Sequence, residues 1–455
     1  MSHPNIVYLH SHDTGRHVQP YGYAVPTPRI QAVAEAGVVF RQAFCQAPTC
    51  SPSRAALLTG QSAHRAGMIG LAHRGFTLAD YSQHLCHTLN AAGYLTALAG
   101  FQHVAHEPFA DLAAMGYQKH LNTHRHENAE LRAAEFIAAK PQQPFFLDCG
   151  FFETHRREAP EGAFVEKRST VGDPRYVRPP ANLPDTPDTR KDYADFIAAA
   201  GVLDRKIGIV LDALGAAGLA DNTLVIITTD HGLPFPGAKC NLTDAGTGVM
   251  LIVRGPGGFA GGRVIDAMVS HMDLFPTICD LAGIAKPAWL EGQSMLPLVG
   301  GKVTQLHEAL FAEVTFHSAY EPQRSVRTSR WKYIKRFEDR NRVTLSNIDD
   351  GLSKSELATH GWADHERPGE ALYDLEFDPT EMQNLAADPR HAGVLVEMRA
   401  RLETWMKQTA DPLLAGPVAP PTGARVTDAW LYSPTGREDV RPEHPLSDRG
   451  PTAHA

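Results

Sequence analysis

The chain has 455 residues, enough for one large domain or two moderate ones with ample buried core, so a small disulfide-stapled scaffold is excluded. Apolar residues make up 43% and charged residues 21%, which excludes a chain that stays disordered. With 43 basic against 51 acidic residues the net charge is -8, a sign that repels polyanions and speaks against a nucleic-acid partner. In chain order, Asn5 to Leu9 reads as a strand entered at once, with no basic leader or small-residue cleavage site, which predicts a cytoplasmic protein. Thr27 followed by Pro28 predicts a helix start, and Gly37 after AVAEA its end. A strand at Leu95 to Ala99, a helix at Glu127 to Lys140, a strand at Phe145 to Cys149 and a helix at Tyr193 to Leu214 follow. Strands at Leu224 to Thr228 and Val249 to Val253 then precede a helix at Met272 to Leu281. Alternating strands and helices predict an α/β fold built on a largely parallel sheet sandwiched by helices.

Beyond about residue 305 the texture changes. Phe311 to Phe316 and Val326 to Phe337, interrupted by the polar Thr328 to Arg330, predict an antiparallel hairpin in a smaller C-terminal subdomain. An amphipathic helix from His391 to Thr409 precedes a Pro-rich tail that reads as an arm or disordered segment, with a homo-oligomer as one use for it. The expected division is therefore 1–305, a catalytic domain, 306–415, an α+β subdomain, and 416–455, the tail. No run reaches the roughly 18 apolar residues of a spanning helix, so no membrane partner is expected. The six cysteines are scattered without CxxC pairs, which argues against a zinc ribbon or a disulfide framework.

In open sheets of this kind ligands bind beyond the carboxyl ends of the strands, which makes His12, Asp13, His103, His155, Asp230 and His231 candidates for one site. The most informative stretch is CSPSRAALLTG, Cys50 to Gly60. Cys50 sits at the lip of a helix with Pro52 in its first turn, and Arg54 lies four residues on, on the same face. Free amides at the helix start and a guanidinium would hold a tetrahedral oxyanion such as sulfate or phosphate beside residue 50. The plain alternative is a buried cysteine ahead of an ordinary helix.

CSPSRAALLTG resembles the CxPxRxxxLTG element of the type I sulfatases, and the preceding TPRIQAVAEAGVVFRQAF is similar to that family's opening. The resemblance implies an alkaline phosphatase-like fold and a formylglycine made from Cys50 by a formylglycine-generating enzyme. Its hydrate would attack sulfur with one hydroxyl, and the second would expel sulfate on collapse to the aldehyde. It also implies one divalent metal ion (manganese, zinc or calcium) at Asp13, Cys50, Asp230 and His231, with His12 either a further ligand or a core histidine. Most sulfatases have two aspartates after the first strand and Asp-Asn after the later one, whereas His12-Asp13 and Asp230-His231 stand here. Imidazole donors shift preference from an all-oxygen calcium site towards manganese, zinc or iron, and the Asp-His pair resembles formylglycine-dependent phosphonate monoester hydrolases.

GFQHVAHEP is similar to the family's GKxH element, which implies that His103 helps collapse the covalent intermediate. FFLDCGFFETHR is similar to an element whose final histidine, here His155, faces the leaving group. Phe101 stands where a sulfate-binding lysine is usual. Either Lys239 substitutes, or the pocket takes an anion of different charge distribution. DHGLPFPGAKCNL resembles the loop of the heparan N-sulfatases, a branch of the family with a basic residue at the position of Lys239; HRAGMIGL and ALYDLEFDPTEMQNLAADP extend the likeness. The expected function is metal-dependent hydrolysis of a sulfate monoester or N-sulfate on a small-molecule sulfated substrate. Arg54 would steady nucleophile and oxyanion, and Lys239 would hold the sulfuryl group. The alternatives are a phosphonate monoester or phosphodiester hydrolase on the same fold, and an unmodified, non-catalytic anion-binding protein.

Overall fold

Two wholly buried runs, Asn5–Ser11 and Thr223–Thr229, pair in parallel at the centre of an eight-stranded sheet. Their continuous apolar character follows from cover on both faces. The strands lie in the order Arg263–Ile265, Val38–Phe40, Leu251–Arg254, Thr223–Thr229, Asn5–Ser11, Phe145–Gly150, Leu95–Gly100 and Lys119–His120. All run parallel except Leu251–Arg254, which is antiparallel to both neighbours. This is a computed structural model, and it describes residues 3–106, 110–122, 128–157, 162–164 and 172–434.

Alternate residues of the central strands feed two cores. Ile6, Tyr8, Leu224 and Ile226 pack on one face with Leu57, Leu58, Phe275 and Ile278; Val7, Leu9, Val225 and Ile227 pack on the other with Ile30, Val33, Leu203 and Ile207. The first core takes the helices Cys50–Thr59 and Leu274–Ala282, the second Pro28–Ala36, Ala129–Ala138 and Pro187–Ala217. The last of these starts six residues before the expected Tyr193, because Thr186 forms a capping box with Thr189 and Pro187 occupies the first turn. The expected strand Val249–Val253 is split. The Met250 amide donates to the Gly15 carbonyl at 2.8 Å, leaving Gly248–Val249 in a three-stranded sheet with Ala43–Phe44 and Val269–Ser270.

Near the C-terminus Leu310–Phe316, Tyr320–Arg327, Trp331–Arg336 and Glu370–Asp374 form an antiparallel sheet covered by the helix Ala392–Gln408. The hairpin expected around Thr328 to Arg330 joins its second and third strands. Of the tail expected as an arm or disordered segment, the described part is held against the rest of the chain. Up to residue 434 it lies along its own chain, the Arg425 amide donating to the Arg74 carbonyl, the Thr427 amide to the Ser318 carbonyl and Ser433 Oγ to Asp350. These hydrogen bonds replace the periodic apolar packing that the sequence lacks; residues 435–455 lie outside the described residues. Among the described residues no helix is long and apolar enough to cross a membrane.

Candidate active site

Four adjacent parallel strands, Thr223–Thr229, Asn5–Ser11, Phe145–Gly150 and Leu95–Gly100, end at one edge of the sheet. Parallel pairing puts the loops after them side by side, so Asp230-His231, His12-Asp13, His155 and His103 meet although they are up to 219 residues apart in sequence. Asp13 has φ 56°, the left-handed region that Asp enters more readily than most residues. That turn aims its amide at Asp230 Oδ1, 2.8 Å away, and the His231 amide donates to the same oxygen at 2.9 Å. Asp230 Oδ2 is left facing the site.

The helix Cys50–Thr59 is buried along its whole length and enters this edge with its first residues. Ser51, Ser53 and Arg54 in its first turns each tie down a neighbour. Ser51 Oγ accepts the Ala72 amide at 2.9 Å, and Ser53 Oγ donates to the Asp230 carbonyl. Arg54 donates through Nη2 to Asp230 Oδ2 and to the Ser11 carbonyl, both at 2.9 Å, and through Nη1 to His10 Nδ1. His10 Nε2 donates in turn to Asp148 Oδ1 at 2.7 Å, and Tyr117 donates its hydroxyl to Asp148 Oδ2. Arg54 Nε is buried with no hydrogen-bond partner and is thus a spare donor. Arg54 is therefore first of all the counter-charge of Asp230, with one donor left over.

Cys50 Sγ lies 3.4 Å from His231 Nε2. Burial pushes the Cys50 thiol well above its usual value, with Lys239 pulling it back and Asp13 and Asp230 adding to the rise. An unmodified Cys50 is therefore a protonated thiol, a poor nucleophile. His231 Nδ1 faces the Gly232 carbonyl at 3.0 Å, which can only accept, so Nδ1 carries a proton. Its Nε2 lies 3.1 Å from Asp13 Oδ1. His12 Nδ1 lies 3.0 Å from Asp13 Oδ1 and 3.1 Å from Asp230 Oδ2. Burial pushes His12 down to about 3, against the pull of Asp230, so it is neutral.

Burial alone would raise Asp13, but Lys239 first and then the surrounding imidazoles hold it well below the usual carboxylate range. Asp230 is likewise depressed, its burial outweighed by His231, His12 and Arg54. Two ionised carboxylates and two imidazoles thus gather in one buried cluster. Ligand atoms of His12, Asp13, Cys50 and Asp230 lie within 4.8 Å of one another. A first-row divalent ion with bonds of about 2.0–2.3 Å holds its donors roughly 3–3.5 Å apart, so the donor set and the 3.0–3.4 Å gaps fit one such ion.

The other expected residues also reach this edge. Lys239 Nζ is shared between Asp13 Oδ2 at 3.1 Å and Asp349 Oδ2 at 2.9 Å, so it enters the site already paired. His155 Nε2 lies 3.9 Å from Asp13 Oδ2, and its Nδ1 donates to the Arg156 carbonyl. His103 can place a ring nitrogen within 4.8 Å of His12 and Cys50. Phe101, in place of a lysine, sits 4.8 Å from the His12 ring and under the Arg54 guanidinium at 5.3 Å.

Sequence reasoning missed four contributors. His10 and Asp148 are polar residues inside wholly buried apolar strands, a signal that was there to be read. Asp349 follows no strand and belongs to the polar stretch NIDD, which has no periodicity to mark it. His73, discussed below, lies in a short loop of the same kind.

Known proteins resemble this chain in sequence and in fold. The family model described as Sulfatase matches residues 4–284, and one described as N-sulphoglucosamine sulphohydrolase, C-terminal, matches residues 239–355. Human N-sulphoglucosamine sulphohydrolase is 32% identical over 443 residues, covering 87% of this chain and 88% of the human protein. Among solved structures, the sulfatase yidJ from Bacteroides fragilis superposes with a TM-score of 0.72 at 19% identity, covering 92% of this chain and 98% of that one. The phosphonate monoester hydrolase of Agrobacterium radiobacter gives 0.67 at 22% identity, covering 90% and 97%.

Proposed function

Since the chain belongs to the sulfatase family, hydrolases acting on sulfuric esters, we propose that it hydrolyses the N-sulfate of an amino sugar or a sulfate monoester, with formylglycine made from Cys50 as nucleophile. The observation that carries this is the placement of Cys50 at the start of a buried helix, 3.4 Å from His231 Nε2 and within 4.8 Å of Asp13 and Asp230. N-sulfate is favoured by the likeness to the human sulphohydrolase and to its C-terminal family model, which includes Lys239.

Asp13, Asp230, His12, His231 and the modified residue 50 hold one divalent ion, of which manganese or zinc suits the imidazoles best. Such an ion supplies Lewis acidity to the sulfuryl oxygens and lowers the cost of ionising the nucleophile. The aldehyde hydrate supplies two hydroxyls, one to attack sulfur and one to expel sulfate afterwards. Arg54 fixes Asp230 and turns its free Nε towards the reacting oxygens. His103 takes the proton of the second hydroxyl, and His155 protonates the departing nitrogen or oxygen through Nε2. Lys239 exchanges part of its pairing with Asp13 and Asp349 for the sulfuryl group. The Phe101 ring limits water beside Arg54. The chain divides into a catalytic domain over 1–305, an α+β subdomain over 306–415 and a Pro-rich tail over 416–455, and the six buried thiols support a cytoplasmic setting.

Purified protein from the native host tests the reading in two measurements. The tryptic peptide spanning Cys50 is expected to carry the aldehyde mass, and glucosamine N-sulfate or 4-nitrophenyl sulfate to give the highest kcat/KM. Asp230-His231 and Phe101 favour one second reading, a phosphonate monoester or phosphodiester hydrolase. A far higher kcat/KM for an aryl phosphonate or phosphodiester would establish it. An intact thiol together with no turnover of any of these would leave only anion binding.

A further inference from the structure

His73 is exposed, on a three-residue turn, Ala72–Arg74, that no strand or long helix carries. Its Nδ1 is 2.7 Å from His103 Nε2, and the two rings stack with centroids 5.0 Å apart at 12°. The turn is held on both sides: the Ala72 amide donates to Ser51 Oγ, next to Cys50, and Arg425 Nη2 donates to the His73 carbonyl at 3.0 Å. His103 Nδ1 is buried without a hydrogen-bond partner.

One proton lies between the two rings, and the orphaned Nδ1 decides where it belongs. If His73 donated, His103 would carry a buried N–H on Nδ1 with nothing to accept it. If His103 Nε2 donates to His73 Nδ1, Nδ1 of His103 is a bare lone pair, which costs less to bury unpaired. Burial of His103 and the cations near His73 keep both rings neutral at neutral pH: His103 falls well below its ordinary value, and burial with Arg74 and Arg425 takes His73 down to about 4. The pair is then a neutral N–H···N chain. At one end His103 brings a ring nitrogen within 4.8 Å of Cys50, and at the other His73 is exposed to solvent.

We propose that His73 is the solvent-side half of a two-imidazole proton relay that drains the site during collapse of the sulfated residue 50. This rests on the formylglycine reading above. In the step, the free hydroxyl of the sulfated hydrate loses its proton to His103 Nδ1 and its oxygen becomes the carbonyl. The carbon–oxygen bond to sulfate breaks, and sulfate leaves with the electron pair. His103 passes its Nε2 proton to His73 Nδ1, and His73 releases its Nε2 proton to water. Cys50 is 2% exposed, so a proton released there needs such a path. His73 touches no reacting atom and acts through His103.

The test variant is His73→Gln, whose amide can keep the hydrogen bond to His103 but cannot relay a proton. With the substrate that the wild type turns over, kcat is expected to fall about 100-fold while kcat/KM stays unchanged, because sulfate transfer precedes the affected step. Added imidazole is expected to restore kcat in proportion to its concentration, and the sulfated form of residue 50 to accumulate in the intact mass. Nitrogen-15 spectra of histidine-labelled wild type should show coupling across one N–H···N bond that His73→Gln lacks, whatever the activity. Wild-type kcat in His73→Gln, or an equal fall in kcat and kcat/KM without imidazole rescue, would overturn the relay alone. A wild type that turns over nothing would instead overturn the sulfatase reading and the relay with it. Absence of the N–H···N coupling in an active wild type would also end the proposal.

Discussion

Asp192→Asn is the sharpest probe of how the leaving-group side of the site is held. Arg156 follows His155 directly and is clamped by Asp192 through two hydrogen bonds of 2.8 Å each, with both side chains 4–5% exposed. Arg156 Nε also donates to the Pro234 carbonyl at 2.9 Å, in the loop after Asp230-His231, and its guanidinium lies 4.2 Å from the Phe164 ring and 4.8 Å from the Phe235 ring. Burial by itself raises Asp192, but Arg156 and the Ser353 hydrogen bonds outweigh it and the carboxyl sits below its usual value. Its contribution is therefore present above the unfolded carboxylate value and lost as pH falls through the lower folded one. Asparagine leaves the guanidinium with a buried, uncompensated charge, a loss of about 3–5 kcal/mol. With about 2.1 cal/mol/K of unfolding entropy per residue over 455 residues, that is a fall in Tm of about 3–5 °C. The companion Arg156→Met with Asp192→Leu is expected to recover most of it, since removing both charges leaves none buried and unpaired. Urea unfolding of wild type, Arg156→Met, Asp192→Leu and the double variant gives the coupling. Turnover of an alkyl or sugar sulfate should fall more than that of 4-nitrophenyl sulfate, because a poor leaving group depends more on the proton from His155. A loss below about 1 kcal/mol in Asp192→Asn, or additive losses in the double variant, would refute the argument.

Dialysis against a chelator is expected to abolish turnover and lower Tm, with one equivalent of manganese or zinc restoring both; unchanged activity in protein shown by elemental analysis to be metal-free would remove the ion from the mechanism. Glu313 is buried, which alone would raise it, but His64 and Arg324 bring it down to about 2. A depressed carboxylate stabilises above its unfolded value of 4.5 and loses that contribution as pH falls from there to about 2, so the urea midpoint should drop between about pH 5 and pH 3 in the wild type and much less in Glu313→Gln. At Gly150 an added Cβ would meet the Phe101 carbonyl oxygen and the His10 ring. Gly150→Ala should therefore cost about 1–3 kcal/mol and reduce kcat further by displacing the His10 support of Arg54, as thermal unfolding and initial rates will show.

The path from sequence to site was uneven for identifiable reasons. Where local chemistry dictates conformation, the sequence was enough. The apolar runs of Asn5–Ser11 and Thr223–Thr229 could only be strands covered on both faces, and CSPSRAALLTG carried the nucleophile position, the helix start and Arg54 together. The start of Pro187–Ala217 was expected six residues too late, at Tyr193, although Thr186-Pro187 has the same form as Thr27-Pro28. Hydrogen-bond competition hid the break at Met250, because nothing in that run reveals that its amide is claimed by Gly15.

By itself, then, the sequence determined the element types, the parallel architecture and the residue chemistry at each strand end, because those follow from periodicity, capping and side-chain type within about ten residues. Only the tertiary structure decided which strands are neighbours, and hence that Asp13 and Asp230 face one another, that Lys239 is held between Asp13 and Asp349, and that His103 leans on His73. Contacts between residues 30 to 226 positions apart carry no local signature in the chain. They exist because sheet pairing and burial leave each of these polar groups a single set of partners within reach.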